Sequence, residues 1–244
     1  MDFLAELTDW FTDPANWSGV GGIPNRMWEH VQLSALVVAI ASLVTIPPAM
    51  LLGHTGRGGF LAVSLVNIGR AIPSFAILAL ALPLTIELAQ NTPLLSSGLG
   101  FAPTFLALLA LAIPPIFTNT YTAVREVDPG MVEAARGMGM TEREILVTIE
   151  APVALGLTIA GVRVAAVQVV ATATLGALVA WGGLGRFIID GFAQQDHPEL
   201  VAGAILVALL AIATELAFAL VERLAIPAGV RHLVDPASAR SRAV

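Results

Sequence analysis

The sequence predicts an all-α membrane protein with about five transmembrane helices, and three observations predict it. Hydrophobic residues make up 57% of the 244-residue chain and mean hydropathy is +0.83, well above the range of soluble domains. The apolar residues gather into five runs of about 20 residues, the helical length that covers ~30 Å of hydrocarbon. Charged residues are 12% of the chain and lie between those runs, so the net charge of -6 belongs to loops and ends rather than to an acidic surface.

Residues 1–30 have no long apolar run. They carry Asp2, Glu6, Asp9, Asp13 and Glu29 together with Trp10, Trp17 and Trp28, and read as an extracytoplasmic N-terminal segment. A cleavable signal would place basic residues before its apolar core, whereas here Arg26 alone follows a run of acids. The first apolar run is therefore expected to remain as an anchor.

The expected spans are 31–52, 62–86, 101–124, 160–181 and 199–221, which together form a transmembrane domain over 31–221. The stretch 153–180 is longer than one crossing requires, so its first turns are expected at the interface or inside the protein. In a five-span arrangement Arg57, Arg125, Arg136, Arg143, Arg223, Arg231, Arg240 and Arg242 fall on one side, and Arg26 and Arg186 on the other. The positive-inside rule then makes the loops 53–59 and 125–152 and the tail 222–244 cytoplasmic, with the N-terminus outside. Trp10, Trp17, Trp28 and Trp181 all lie toward the outer side, as an aromatic interface belt would. A cage for a quaternary ammonium ligand is the sharper alternative, because indole faces attract such cations.

The loop 125–152 encodes its own structure. Asp128-Pro129-Gly130 supplies an N-cap and a helix-starting proline, and Gly139 ends the first helix after Met138. Thr141-Glu142-Arg143-Glu144 reads as a capping box opening a second helix, which Pro152 is expected to close. Met131, Ala135 and Met138 share one stripe, and Ile145 and Ile149 another. Such stripes need a covering surface, either another protein or the rest of this chain.

Several spans carry residues that lipid-facing helices rarely combine: Pro47-Pro48, Pro73-Ser74, Pro114-Pro115 with Asn119, and Gln168, Thr172 and Thr174. Broken helices are tolerated where freed backbone groups meet protein or a water-lined cavity, so Pro73, Ser74, Asn119, Gln168 and Thr172 are candidates for a translocation pathway. Plain helix packing is the alternative for each. Arg70, Arg163 and Glu215 lie in or near apolar runs, where an unpaired charge costs several kcal/mol, and Glu215 is expected to pair with Arg163 or Arg70. Trp181-Gly182-Gly183-Leu184-Gly185 reads as a tight turn at the outer surface.

The chain has no cysteine and no lysine. Disulfides, thiolate metal sites, a Walker A loop and a lysine Schiff base are therefore excluded. His30, His54, His197 and His232 have neither zinc-site nor dyad spacing. No enzyme constellation emerges, and any ATP hydrolysis must come from another chain.

Glu133-Ala134-Ala135, three residues, Gly139, nine residues, then Ile149-Glu150-Ala151-Pro152 resembles the cytoplasmic signature of permease subunits of ATP-binding-cassette (ABC) importers. Ala151 stands where that family commonly has leucine. The resemblance implies a type I ABC importer permease fold with a cytoplasmic coupling-helix loop that docks in a groove of the ATPase. Glu133, Ala134, Ala135 and Gly139 match signature positions, and Arg136, Met138 and Arg143 are expected groove contacts from their place on the helix pair. Ala71-Ile72-Pro73-Ser74, Asn119-Thr120-Tyr121-Thr122, Val127-Asp128-Pro129, Gly137-Met138-Gly139-Met140-Thr141 and Gly182-Gly183-Leu184-Gly185 look like the osmoprotectant branch, which serves glycine betaine, choline, carnitine or proline betaine.

The resemblance implies a cytoplasmic ABC ATPase dimer, a second permease copy or a related permease, and an extracytoplasmic substrate-binding protein facing the loop 186–198. It implies a place in the plasma membrane of a bacterium and no nucleic acid. ATP and Mg would be bound by the ATPase, leaving this chain without a cofactor. A permease for methionine or another amino acid shares the signature. A gradient-driven carrier, with Glu215 as its candidate ion-coupling acid, and an intramembrane enzyme are the readings from other classes.

Overall fold

The computed structural model describes residues 3–57, 59–93 and 96–225, and these are helical almost throughout. Helix α1 spans Phe3–Thr12, and a short 3-10 turn follows at Pro14–Trp17. Helix α2 is Ile23–Thr55, α3 is Gly59–Ala71, α4 is Ser74–Asn91 and α5 is Phe101–Arg125. Helices α6, Pro129–Gly137, and α7, Glu142–Ile145, form the charged loop. A π-helical turn, Leu146–Glu150, joins α7 to α8, Ala151–Thr172, which runs on through a 3-10 segment at Ala173–Val179. Helix α9, Gly185–Gln194, and α10, His197–Ala225, complete the fold. Five of these segments are long and apolar enough to cross a membrane: 23–55, 74–91, 101–125, 142–179 and 197–225.

Helix α5 is the hub. Of its most apolar window 61% is buried inside the chain, against 11% for α10, so α10 stands at the periphery. Along α2, Leu33, Val37, Ala41, Thr45, Ala49 and Gly53 are all buried. They recur every fourth residue and form one ridge facing α5. The ridge narrows toward its end: at Gly53 a Cβ would press on the Val124 side chain and the Tyr121 carbonyl. Helix α8 approaches α5 the same way, with Gly161 against Pro115 and Asn119. Small residues let membrane helices come close enough for dispersion and backbone contacts to hold them, since lipid tails leave little hydrophobic drive between helices.

The two ends of the bundle differ in chemistry. At the loop end, Gly56 ends α2 in the left-handed region (φ 66°) and lies under the Arg125 guanidinium, while Gly59 sits against the Tyr121 ring. At the tryptophan end, Trp10 packs edge-on against Phe187 and Trp181 against Phe101, at centroid distances of 5.5 and 5.4 Å. Trp10 and Trp181 are thus each occupied by an aromatic neighbour of their own, whereas Trp28 is 61% exposed, as suits a belt residue.

The glycine turn at 182–185 is held by α2. The Glu29 carboxylate accepts the Gly183 N–H at 2.8 Å, and the His30 ring accepts the Leu184 N–H at Nδ1 and donates from Nε2 to the Val170 carbonyl at 2.8 Å. A Cβ on Gly182 would collide with the Glu29 carboxylate, and Gly183 is left-handed at φ 78°.

Four expectations are corrected. The run 62–86 is not one helix: Pro73 takes an extended ψ of 136° as the N-cap of α4, so the crossing is broken between α3 and α4. Pro152 does not close the loop. It sits where the π turn Leu146–Glu150 passes into α8, and the irregular hydrogen-bond ladder of that turn accommodates the N–H that proline lacks, so the helix runs through from Glu142 to Val179. Helix α2 begins at Ile23, with Pro24 in its first turn, so the helix reaches into the segment expected to precede the membrane. The stretch expected as a receptor-facing loop, 186–198, is mostly helix α9, whose Phe187 and Gly191 are buried while Phe192 is 75% exposed. Of the tail 222–244, residues 226–244 lie outside the described residues, including Arg231, His232, Arg240 and Arg242.

Candidate functional site

The α6–α7 pair is fixed by local chemistry at every joint. Asp128 accepts the Gly130 N–H on its side chain at 2.8 Å and caps α6. The C-terminus closes as a Schellman motif: the Gly139 N–H reaches the Arg136 carbonyl and the Met140 N–H the Ala135 carbonyl, at 2.9 and 3.1 Å. Gly139 sits at φ 87°, the conformation this motif demands. The capping box is complete, with Thr141 N–H donating to Glu144 Oε2 at 2.7 Å and Glu144 N–H to Thr141 Oγ1 at 3.3 Å.

These joints decide which side chains face outward. Glu133, Ala134, Arg136, Met138, Gly139 and Arg143 are exposed, and Ala135 is fully buried. The stripe of Met131, Ala135 and Met138 is therefore split: Ala135 anchors α6 to its own chain, while Met131 and Met138 stand 38% and 75% exposed beside Val147 at 58%. Apolar side chains set among charges on a short self-capped helix pair form an exposed face of mixed character.

Charges tie this face to the bundle. Arg136 grips Glu142 through two hydrogen bonds, Nε at 2.7 Å and Nη2 at 2.9 Å. This grip, reinforced by the charges of Glu142, Glu150 and Glu133, raises the pKa of the exposed guanidinium above its ordinary value. Glu142 also meets His54 Nε2 at 3.0 Å, and His54 Nδ1 lies 2.6 Å from the buried carboxylate of Glu150. The pairing of His54 with these two glutamates does not emerge from sequence reading. His54 and Glu150 are 96 residues apart, and no local pattern reports such a pairing.

The expected partnership of Glu215 is present in looser form. Arg163 Nε lies 3.6 Å from Glu215, while its Nη1 makes the closer contact, 2.9 Å, to Glu222. Glu222 lies about two turns beyond Glu215 on α10 and just past the expected end of the span. The side chain of Arg70, the other partner considered, is outside the described residues. Arg163→Ala should lower the stability of the purified protein by on the order of 1–2 kcal/mol by stranding Glu222. Adding Glu222→Gln should restore most of it. Thermal unfolding in detergent measures both, and an unchanged midpoint in the single variant would contradict the tie.

The pathway candidates fall into three places. Ser74 and Thr172 come together, with Thr104 and Leu108, around a cavity of about 10 Å³, the space of one water. Pro73 stands beside it as the α4 cap. Asn119 is at the α5–α8 contact, donating to the Pro115 carbonyl at 2.8 Å. Gln168 is exposed one turn before Thr172, on an α8 stripe with Leu157, Val164 and Ala171. A larger cavity, about 430 Å³, opens between α2, α8 and α10 beside Ser34, Val38, Ser42, Val162, Thr214 and Phe218, and none of the five candidates lines it.

Comparison with known proteins follows the same lines. The family model described as "Binding-protein-dependent transport system inner membrane component" matches residues 44–226. The choline transport system permease protein OpuBB of Bacillus subtilis (strain 168) is 32% identical over 215 residues, covering 88% of this chain and 94% of that protein. The carnitine transport permease protein OpuCB of Listeria monocytogenes is 33% identical, covering 85% and 89%. The osmoprotectant import permease protein OsmW of Salmonella typhimurium is 31% identical, covering 86% and 95%. Among solved structures, an inward-facing form of the MetNI methionine ABC transporter superposes with a TM-score of 0.71 at 22% identity, over 88% of this chain and all of that one.

Proposed function

This chain belongs to the family of binding-protein-dependent transport system inner membrane components, and from that premise we propose that it carries a quaternary ammonium compatible solute inward, driven by a separate ATPase. The observation that carries the coupling half of this reading is the exposed, self-capped α6–α7 pair in a chain with no lysine for a phosphate loop of its own. The cargo is supported by relatives named for choline, carnitine and osmoprotectant transport at 31–33% identity over nearly their whole length. The methionine transporter shares the fold at 22% identity, which speaks for architecture and not for cargo.

In this reading the arginine-rich loop end faces the cytosol, the tryptophan end faces outward, and an ATPase dimer receives Met131, Met138 and the exposed charges of α6. ATP and Mg belong to that ATPase. Helix α9 and the exposed residues 192–197 present the surface for the substrate-binding protein. The α8 stripe bearing Gln168 faces a second permease copy or the aqueous path, because a glutamine amide directed at hydrocarbon leaves its hydrogen bonds unmade. Ser74, Thr172 and the α3–α4 break at Pro73 lie beside that path, with Asn119 behind it. ATP-driven closure of the ATPase dimer would move the coupling loops and exchange inward-open for outward-open states through contacts that differ between them.

The test is uptake into proteoliposomes holding the permease, its co-purified ATPase and the binding protein. Radiolabelled glycine betaine, choline, carnitine and methionine are compared with and without ATP. ATP-dependent uptake of one or more quaternary ammonium compounds is expected. Uptake of methionine alone, or uptake driven by an ion gradient without the ATPase, would overturn the reading. Within the same assay Gln168→Leu should cut uptake about tenfold while ATPase co-purification is unchanged, and uptake at the wild-type rate would remove Gln168 from the pathway.

A further inference from the structure

Two routes lead from the docking face into the bundle. The covalent one runs from α6 through Gly139 and α7 to α8. The other is a relay of side chains: Arg136 on α6 holds Glu142 on α7, Glu142 meets His54 near the end of α2, and His54 meets Glu150 in the π turn that opens α8. The His54 side chain is 8% exposed and that of Glu150 5%, so the inner half of the relay is shielded from water, where electrostatic contacts are strong and an unmatched charge is costly. Both ring nitrogens of His54 stand at hydrogen-bonding distance from carboxylate oxygens, so one ring bridges the two acids. An aliphatic side chain in its place makes neither contact.

The placement of the relay matters as much as its chemistry. The π turn lies where the docking pair becomes a membrane-crossing helix, and π turns break the regular hydrogen-bond ladder. On the α2 side, Pro47 and Pro48 leave the carbonyls of Leu43 and Val44 without their intrahelical donors, less than two turns before His54. Each helix therefore has a compliant point next to the relay, and the piece between those points is cross-tied.

We propose that His54 is a positioning residue of the transport cycle, the pin that makes the inner end of α2 move as one body with the coupling loop and the start of α8. This rests on reading α6–α7 as the element that docks the ATPase. Without the pin, motion of the docked pair reaches α8 alone and is spent in bending at the π turn. ATP turnover then continues while less substrate crosses for each ATP.

The experiment uses the assembled complex in proteoliposomes, with radiolabelled glycine betaine as probe. His54→Leu with Glu150→Leu removes the pin without leaving a buried charge unmatched, and Glu142→Gln breaks the relay at an exposed position that folding tolerates. Both are expected to keep the ATPase bound and its turnover within about twofold, while uptake per ATP falls about tenfold, the scale of a typical coupling between sites. A second readout needs no transport. The chain has no cysteine, so Leu51→Cys with Gly137→Cys places two spin labels on exposed positions of α2 and α6. Their distance distribution should be narrow in the parent and broaden in both relay variants. Unchanged uptake per ATP with an unchanged distribution overturns the proposal. Loss of ATPase binding in the parent protein would instead refute the docking reading on which it rests.

Discussion

Gly139→Val is expected to cut ATP-dependent uptake at least tenfold while the protein still inserts and remains folded. The reason is conformational and not steric. A Cβ at Gly139 would meet nothing within 4 Å, but the residue sits at φ 87°, where an L side chain costs about 1–2 kcal/mol and a β-branched one more. Valine therefore unwinds the Schellman closure that aims α6 relative to α7, and the exposed Met131 and Met138 no longer present together. Asparagine, which tolerates the left-handed region, should keep most activity, with alanine between the two. Co-purification of the ATPase and uptake of glycine betaine in the three variants check this order, and equal activity across them would show that the joint has no part in coupling.

Gly185→Ala has the largest expected effect on stability. Its Cβ would be driven into the backbone of Thr174, meeting the carbonyl oxygen, Cα and carbonyl carbon of that residue, none of which can turn aside. Helix α9 must then lift from the 3-10 segment at Ala173–Val179, which separates Phe187 and Leu184 from Ile23 and Leu206 in the core cluster at the tryptophan end. A loss of about 3 kcal/mol or more follows from overpacking at a fixed backbone. Gly137→Ala is the control: a Cβ there meets nothing within 4 Å and φ is negative, so a small gain of about 0.5–1 kcal/mol is expected. Thermal midpoints followed by size-exclusion chromatography separate the two, and a Gly185→Ala protein as stable as the parent would contradict the packing described.

The parts of this fold that were legible are those set by summed hydropathy or by neighbours in sequence. Five apolar crossings follow from composition, and the caps at Asp128 and Thr141 and the break at Gly139 from chemistry within four residues. The α3–α4 break was hidden because a hydropathy sum over 62–86 is indifferent to one extended residue at Pro73. Pro152 misled for a related reason: whether a proline ends a helix or begins one depends on the turn before it, and the π turn at Leu146–Glu150 has no sequence rule of comparable strength. Helix α9 looked like loop because its glycines mark close approach, Gly191 to α10 at Leu200 and Gly185 to the 3-10 segment at Thr174, and not flexibility. Glu222, His54 and Glu150 were out of reach because their meaning lies in partners far along the chain. Of the pathway candidates, only Ser74 and Thr172 share a cavity, since polar residues in apolar runs can serve packing, as Asn119 does against Gly161.

Helix α2 is fastened at both faces of the bundle, by Glu29 and His30 to the glycine turn at 182–185 and by His54 to the π turn of α8. From residue 30 to residue 54 is about 36 Å of helix at ~1.5 Å per residue, so a single rod spans the hydrocarbon with a clasp at each tip. A rigid rod so clasped forbids one face from rearranging while the other stays still. The double proline at 47–48 relaxes that prohibition unevenly, because Pro47 sits seven residues from the clasp at His54 and seventeen from the clasp at His30. The short arm can swing with the loop while the long arm keeps the glycine turn closed, and opening that end of the bundle requires the clasp at Glu29 and His30 to yield in its own right. Two events in sequence, rather than one concerted tilt, are what this helix imposes on any cycle that moves it.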